Sequence, residues 1–183
     1  MYEPSLVTTE EELLQIHHLS QINLRQNLSL ETMQAEGFVT WLYSLDLLKK
    51  MHQLAASVII KDGETVVAYA LTTLKESKAF HPDLETMFRD LACVQYADRP
   101  LSQYCFYCMG QICVAQDYRG KGLVPMLYEK HKEIYSSEFD FILTEISTSN
   151  ARSMKAHENI GFQAIYTYND AVDEWNVVIW DWK

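Results

Sequence analysis

"ICVAQDYRGKGLVPMLYEKHKEIY", residues 112 to 135, passes from a β-branched run to a helical one through Arg119-Gly120-Lys121-Gly122. Ile112-Cys113-Val114 reads as the end of a strand over 104–115, and Leu123, Met126, Leu127 and Ile134 fall near one face of a helix over about 122–136. Glycines at the mouth of that helix let main-chain N–H groups approach an anion with no β-carbon in the way. The helix dipole adds roughly half a positive charge there. Arg119 and Lys121 bring full charges. A phosphate, or better a pyrophosphate, is the expected ligand, and a Gly-rich turn with solvated cations is the alternative. GxxxxGK[ST] is absent, as is GxGxxG with an acidic residue about 20 positions on, so neither familiar nucleotide loop accounts for the stretch.

Downstream, "FDFILTEIS" (139–147) is a strand, 150–160 a helix, and a last pair of strands surrounds "YNDAVDE" (168–174). Strand, helix, strand, helix implies a parallel pair inside a mixed sheet. Upstream, "ASVIIKDGETVVAYALTTL" (56–74) is a hairpin whose turn is Lys61-Asp62-Gly63-Glu64. Short strand character over Ser5–Thr9 precedes helices over Glu10–Gln26 and about Ser44–Leu54. A helix over Asp83–Leu91 lies in what reads as an insertion, residues 75–103.

The chain has 183 residues, 48% hydrophobic and 12% aromatic, so a single domain over 1–183 is expected. Fifteen Lys+Arg stand against 25 Asp+Glu, a formal charge of -10, which disfavours nucleic acid and anionic lipid and favours a cationic partner. Without a signal-like N-terminus or an apolar stretch near the roughly 20 residues that cross a bilayer, a cytoplasmic protein is expected. Cys105 and Cys108 have CxxC spacing, but on a strand an odd offset puts them on opposite faces. Cys93 and Cys113 read as buried free thiols, and His17, His18, His52, His81 and His131 as surface or helix residues.

Arg119-Gly120-Lys121-Gly122-Leu123-Val124 resembles the pyrophosphate motif Q/R-x-x-G-x-G/A of the GNAT superfamily of acyl-CoA-dependent N-acetyltransferases. A second block, "TEISTSNARSMKAHENIGF" (144–162), is similar to the family's fifth strand, fourth helix and following Gly-Phe, here Gly161-Phe162. Together the blocks carry the resemblance over about residues 104–168, while the N-terminal half agrees in element order. The resemblance implies an α/β fold with a mixed, partly splayed central sheet flanked by helices. It implies acetyl-CoA as cosubstrate, no metal, and an amine acceptor that is a small molecule or a protein amine; a homodimer is compatible with it. By the same resemblance, Arg119 and the N–H groups of Gly120, Lys121, Gly122, Leu123 and Val124 would hold the diphosphate. Asn150 would bond the pantetheine arm, and the main chain of Ile112 and Val114 would pair with that arm like an added strand. Val124 departs from the family's Gly or Ala, and Pro125 behind it has no N–H.

Acetyl transfer needs a neutral amine, and an alkylammonium of pKa about 10.4 lies roughly 4.6 kcal/mol from that state at pH 7. Glu145, five residues before Asn150 and inside an apolar strand, is the candidate base, with a structural, hydrogen-bonded Glu as the alternative. His157 stands where the family usually has a tyrosine acid; on the wheel it lies opposite Arg152, Lys155 and Asn159, which directs it inward as acid or as core histidine. Acceptor choice would rest with residues 26–43 and 75–103, with Asp98, Asp170, Asp173 and Glu174 near the entrance or simply solvated. The rival reading is a catalytically silent acyl-CoA-binding regulatory module, to which Val124-Pro125 and the missing tyrosine point.

Overall fold

The computed structural model describes residues 2–183. In chain order the strands are β1 (Pro4–Leu6), β2 (Val58–Asp62), β3 (Thr65–Thr73), β4 (Gln95–Tyr96), β5 (Arg99–Pro100), β6 (Phe106–Val114), β7 (Phe141–Ser147), β8 (Gln163–Asn169) and β9 (Glu174–Asp181). The helices are α1 (Glu10–Ile22), α2 (Leu30–Glu36), α3 (Leu45–Leu54), α4 (Pro82–Leu91), α5 (Leu123–Tyr135) and α6 (Ala151–Ile160). Seven strands form one mixed sheet in the order β1-β2-β3-β6-β7-β9-β8, and β4 and β5 make a separate small ribbon in the 75–103 segment.

Alternation along the strands divides the core in two. Ile59, Tyr69 and Leu71 pack with Leu13 and Ile16 of α1 and Leu47, Leu48 and Met51 of α3. Val58, Ile60, Val67 and Ala70 turn the other way, against Leu123, Leu127 and Tyr128 of α5. A capping box at Thr9 and Glu12 starts α1, and α1 stops at Ile22, four residues short of the expected Gln26, because Asn23 caps it and Arg25–Asn27 winds as a 3-10 turn. Residues 30–36, with no periodicity to announce them, are helical after the Ser29 cap. Cys93 is exposed rather than buried, lying just beyond the C-terminus of α4, and all four cysteines are free. His131 is a helix residue, one of the two expected placements, and is fully buried because α5 turns it onto the sheet. No helix among the described residues is long and apolar enough to cross a membrane.

The parallel pair is β6 and β7, and it is short. Phe106, Tyr107 and Cys108 pair with Phe141, Ile142 and Leu143, and the strands then separate. On its other edge β6 shifts register against β3 between Ala70 and Thr72, opposite Gly110 and Gln111. Such a bulge adds local twist. Gly110 sits at this point with no room for a side chain: a β-carbon would overlap Thr73 Oγ1 and lie 2.7 Å from the Tyr43 hydroxyl. Gly110→Ala should therefore lower stability by about 1–3 kcal/mol, read as a shift in the urea or thermal midpoint. An unchanged midpoint would show that Tyr43 and Thr73 give way freely.

Candidate active site

Where β6 and β7 part, the main chain of β6 loses a partner. Ala115 N–H donates to the Val67 carbonyl at 2.8 Å, so odd-numbered positions of this end of β6 face β3. Alternation turns the N–H and C=O of Ile112 and Val114 into the gap. The Val114 carbonyl accepts from Arg119 Nε at 3.1 Å, which confirms its direction.

The Gly-rich loop closes one end of the gap. Gly122 is the N-cap of α5 at φ 76, and Gly120 has φ 73, a left-handed conformation that side chains disfavour. At neither position would a β-carbon meet anything within 4 Å, so the glycines serve backbone shape and the loop stands open. The N–H groups of Gly120 to Val124 donate to nothing among the described residues, and Pro125 has none to offer. Lys121 Nζ lies 4.7 Å from the centre of the Tyr118 ring. Gly120, Gly122, Leu123 and Val124 line a cavity of about 340 Å³ whose charged walls are Arg119, Arg152, Lys155 and a single acid, Glu36. Its balance is cationic in a chain of net charge -10.

Two of the expected ligands are engaged elsewhere. Arg119 Nη2 donates to Asn23 Oδ1 at 2.6 Å and Nη1 pairs with Glu36, so its guanidinium braces α1 and α2. Arg152, which makes no ion pair among the described residues, is the cation that the cavity keeps available, while Lys155 pairs with Glu158 at 3.4 Å. Asn150 caps α6 by accepting from Ser153 N–H at 3.2 Å and donates Nδ2 to the Phe38 carbonyl at 2.9 Å. Residues 38–41 thus form a strap, tied to α6 through Asn150 and to β6 by Gln111 Nε2 donating to the Trp41 carbonyl at 2.6 Å.

Beyond the strap lies a second cavity, of about 510 Å³, sharing Phe38, Val39, Ile112, Asn150, Ser153 and His157 with the first. Its charged lining is Asp83, Asp90, Glu145 and Asp170, with no lysine or arginine. Glu145 lies on β7 just past the last β6–β7 pair, and Tyr168 of β8 donates its phenol to Glu145 Oε1 at 2.8 Å. Burial raises Glu145 from an ordinary carboxylate to about 7; the Tyr168 bond opposes this, and Asp170 and Asp90 add to it. A carboxyl of that affinity exchanges a proton near neutrality. Among the described residues no cluster of His, Cys, Asp or Glu is placed to hold a metal ion.

The Acetyltransferase (GNAT) family model matches residues 19–162. The chain belongs to the GNAT family. Solved structures share its fold at low identity. The ribosomal-protein-S18-alanine N-acetyltransferase from Escherichia coli is 15% identical, covering 99% of this chain and 94% of that one at a TM-score of 0.59. The NatC complex bound to Gag peptide and CoA is 15% identical over 100% and 98% of the two chains at 0.64. Ard1 from Thermoplasma volcanium is 10% identical over 97% of each at 0.65. Comparison with curated proteins finds no match.

Against the GNAT pattern, His157 stands in the tyrosine's place. It is 1% exposed, its Nδ1 donates to the Ser153 carbonyl at 2.7 Å, and its Nε2 takes the Tyr128 hydroxyl at 2.6 Å. Burial holds it down to about 4, the Ser153 bond only partly opposing this. A neutral imidazole with both nitrogens occupied is the environment of a core histidine, the alternative to the acid role in the sequence reading. Of the acids expected at the entrance, Asp170 alone lines the cavity. Asp173 is held by Arg25 and Ser147, while Asp98 and Glu174 are exposed outside the cavity. Tyr43, Tyr168, Asp90 and Arg152 were not singled out from sequence; only contact across distant segments brings them to the site.

These environments make opposing contributions to acid stability. His157 and His131 are held near 4 by burial, below their usual 6.5, so the stability they contribute is present above 6.5 and lost as pH falls through 4. Glu145, raised to about 7, works oppositely: its contribution is full below about 4.5 and lost as pH rises through 7. Between pH 6.5 and 4.5, two histidines therefore outweigh one carboxyl, and stability falls on acidification. Glu145→Gln should steepen that fall by about one proton, roughly 1.4 kcal/mol per pH unit, in urea titrations across the range. Parallel profiles for the two proteins would remove Glu145 from this account.

Proposed function

We propose that this GNAT chain is an N-acetyltransferase that moves the acetyl group of acetyl-CoA directly to a primary amine. The observation that carries the reading is the opposition of charge across a shared wall. On one side five unpaired N–H groups and free cations await an anion; on the other a carboxyl poised near neutrality faces an acidic cavity. That the similar NatC structure was solved with CoA supports CoA as the anion.

In this reading the diphosphate takes the N–H groups of Gly120 to Val124 with Lys121 and Arg152 nearby. The Ile112 main chain, free in the gap, pairs with the pantetheine arm, and Asn150 and Val114 join once they release Phe38 and Arg119. Acetyl-CoA supplies the activated acetyl group. Glu145 accepts a proton from the incoming ammonium, through Oε2, since Oε1 holds Tyr168. The nitrogen then carries the lone pair that attack requires, and a main-chain N–H would meet the developing oxyanion. With His157 read as a core histidine, no side chain is assigned as acid.

CoA at 100 times its dissociation constant should stabilise the protein by about 2.7 kcal/mol, and Gly122→Asp should abolish the shift; no shift at millimolar CoA would sink the cofactor assignment. With a verified amine, turnover should rise with pH through about 7, because the base must be ionised. Glu145→Gln should lower turnover by about 10² to 10⁴ while the CoA shift persists. A parental rate in that variant would end the base role. The engagement of Arg119 by Glu36 and of Asn150 by Phe38 favours the silent-module alternative, which expects the CoA shift but no thiol release with any amine.

A further inference from the structure

The second cavity holds more negative charge than proton transfer requires. Glu145 alone can take a proton, yet Asp83 and Asp90 of α4 and Asp170 of the β8–β9 turn also line the wall, and no lysine or arginine lines it. Asp90 and Asp170 lie close enough to act on Glu145 and on Tyr168. Asp170 Oδ1 accepts the N–H groups of Val172 and Asp173 at 2.7 and 2.8 Å, which fixes the carboxylate and leaves Oδ2 uncommitted. Asp90 meets its neighbour Arg89 through Oδ1 at the surface, a pair that solvent screens. Trp175 Nε1 is buried beside Asp170, close enough to help hold that carboxyl below the usual value although the contact falls outside normal hydrogen-bond geometry.

Between these acids the walls are aromatic and aliphatic. Trp41 and Tyr43 lie against each other with ring centroids 4.3 Å apart, and Met87 stands on α4 beside them. Such walls suit a methylene chain, and rings of this kind also attract ammonium groups. A single amine would use Glu145 and leave Asp90 and Asp170 facing an apolar tail.

We propose that the acceptor is a linear aliphatic amine with at least two ammonium groups, one presented to Glu145 and another held by Asp90 and Asp170. The inference rests on the transferase reading and adds to it the charge and shape of the substrate. Trp41 of the strap and Tyr43 just beyond it enclose the methylene segment, and the distal ammonium stays charged throughout, since only the nitrogen at Glu145 gives up a proton.

The test compares 1,4-diaminobutane, 1,5-diaminopentane, n-butylamine and a short peptide with a free N-terminal alanine, each titrated calorimetrically into the CoA-saturated protein and each assayed with acetyl-CoA for thiol release. A diamine should bind at least tenfold more tightly than n-butylamine, and its advantage should shrink as salt rises. Asp90→Asn and Asp170→Asn should each cut the diamine-to-monoamine ratio of kcat/KM about tenfold, acting through KM; the amide at 170 keeps the oxygen that accepts Val172 and Asp173. Equal affinity for diamine and monoamine in a protein that CoA does stabilise overturns this inference alone, as does a peptide that outcompetes both diamines. A protein that CoA does not stabilise overturns the transferase reading, and this inference with it.

Discussion

The pairing of β6 with β7 ends after three residues on each strand, and the site depends on that early end. Two parallel strands in a sheet normally satisfy each other's main chain, and a gap leaves polar groups in need of partners. Here the break lies next to the register shift at Gly110 and Gln111, where the β6 backbone twists against β3 and Tyr43 occupies the space that a side chain at 110 would take. Gln111 then serves both layers, accepting from the Tyr69 hydroxyl at 2.5 Å and donating to the Trp41 carbonyl at 2.6 Å. The same residues that open the sheet anchor the strap that covers the opening. Phe38 and Val39 of the strap line both cavities.

A protein of net charge -10 makes a cationic cavity by location rather than composition. The loop supplies unpaired N–H groups and the start of a helix, neither of which counts in a charge tally. Arg152 and Lys155 reach the cavity from α6, and Asp90, Glu145 and Asp170 reach the other from α4, β7 and the turn after β8. Since the strap and Asn150 lie between them, opposite charges are kept apart by a few side chains instead of neutralising one another. Glu36 is the exception, an acid on the cationic side. By pairing with Arg119 it holds α2 against the loop, and the pair would have to yield if a diphosphate claimed the guanidinium.

What could be read from sequence was what local chemistry dictates. The Gly-rich turn, the strand before it and the helix after it lie within a few residues of one another, so spacing and the need for positive φ sufficed to place them, and the Asp62-Gly63 hairpin followed for the same reason. The inward direction of His157 was also legible, because a helical wheel sees burial. Its role was not, because Tyr128, which occupies Nε2, comes from a different helix 29 positions earlier. Arg119 shows the same limit: its motif places the backbone, while its partners Asn23 and Glu36 lie far away in sequence, before the hairpin. Helix α2 gave no periodic signal, being seven residues long and without a buried side chain.

A core placement of His157 fits the energetics of the two proton transfers. An alkylammonium at pH 7 lies roughly 4.6 kcal/mol from the neutral amine, whereas a thiolate of pKa about 8.5 leaves only about 2 kcal/mol above its protonated form. In the proposed reaction a base would correct the larger deficit, and Glu145 is the candidate, a carboxyl that burial raises to about 7 while it still lines the cavity. Raised much further it would be protonated and useless at neutral pH; left at an ordinary carboxylate value it would hold the ammonium proton too weakly. Burial of β7 beside the gap pushes it up, and the single Tyr168 bond limits the rise. A histidine at 157 in place of a tyrosine then costs the chemistry little, and Tyr128 is free to use it as a core partner joining α5 to α6.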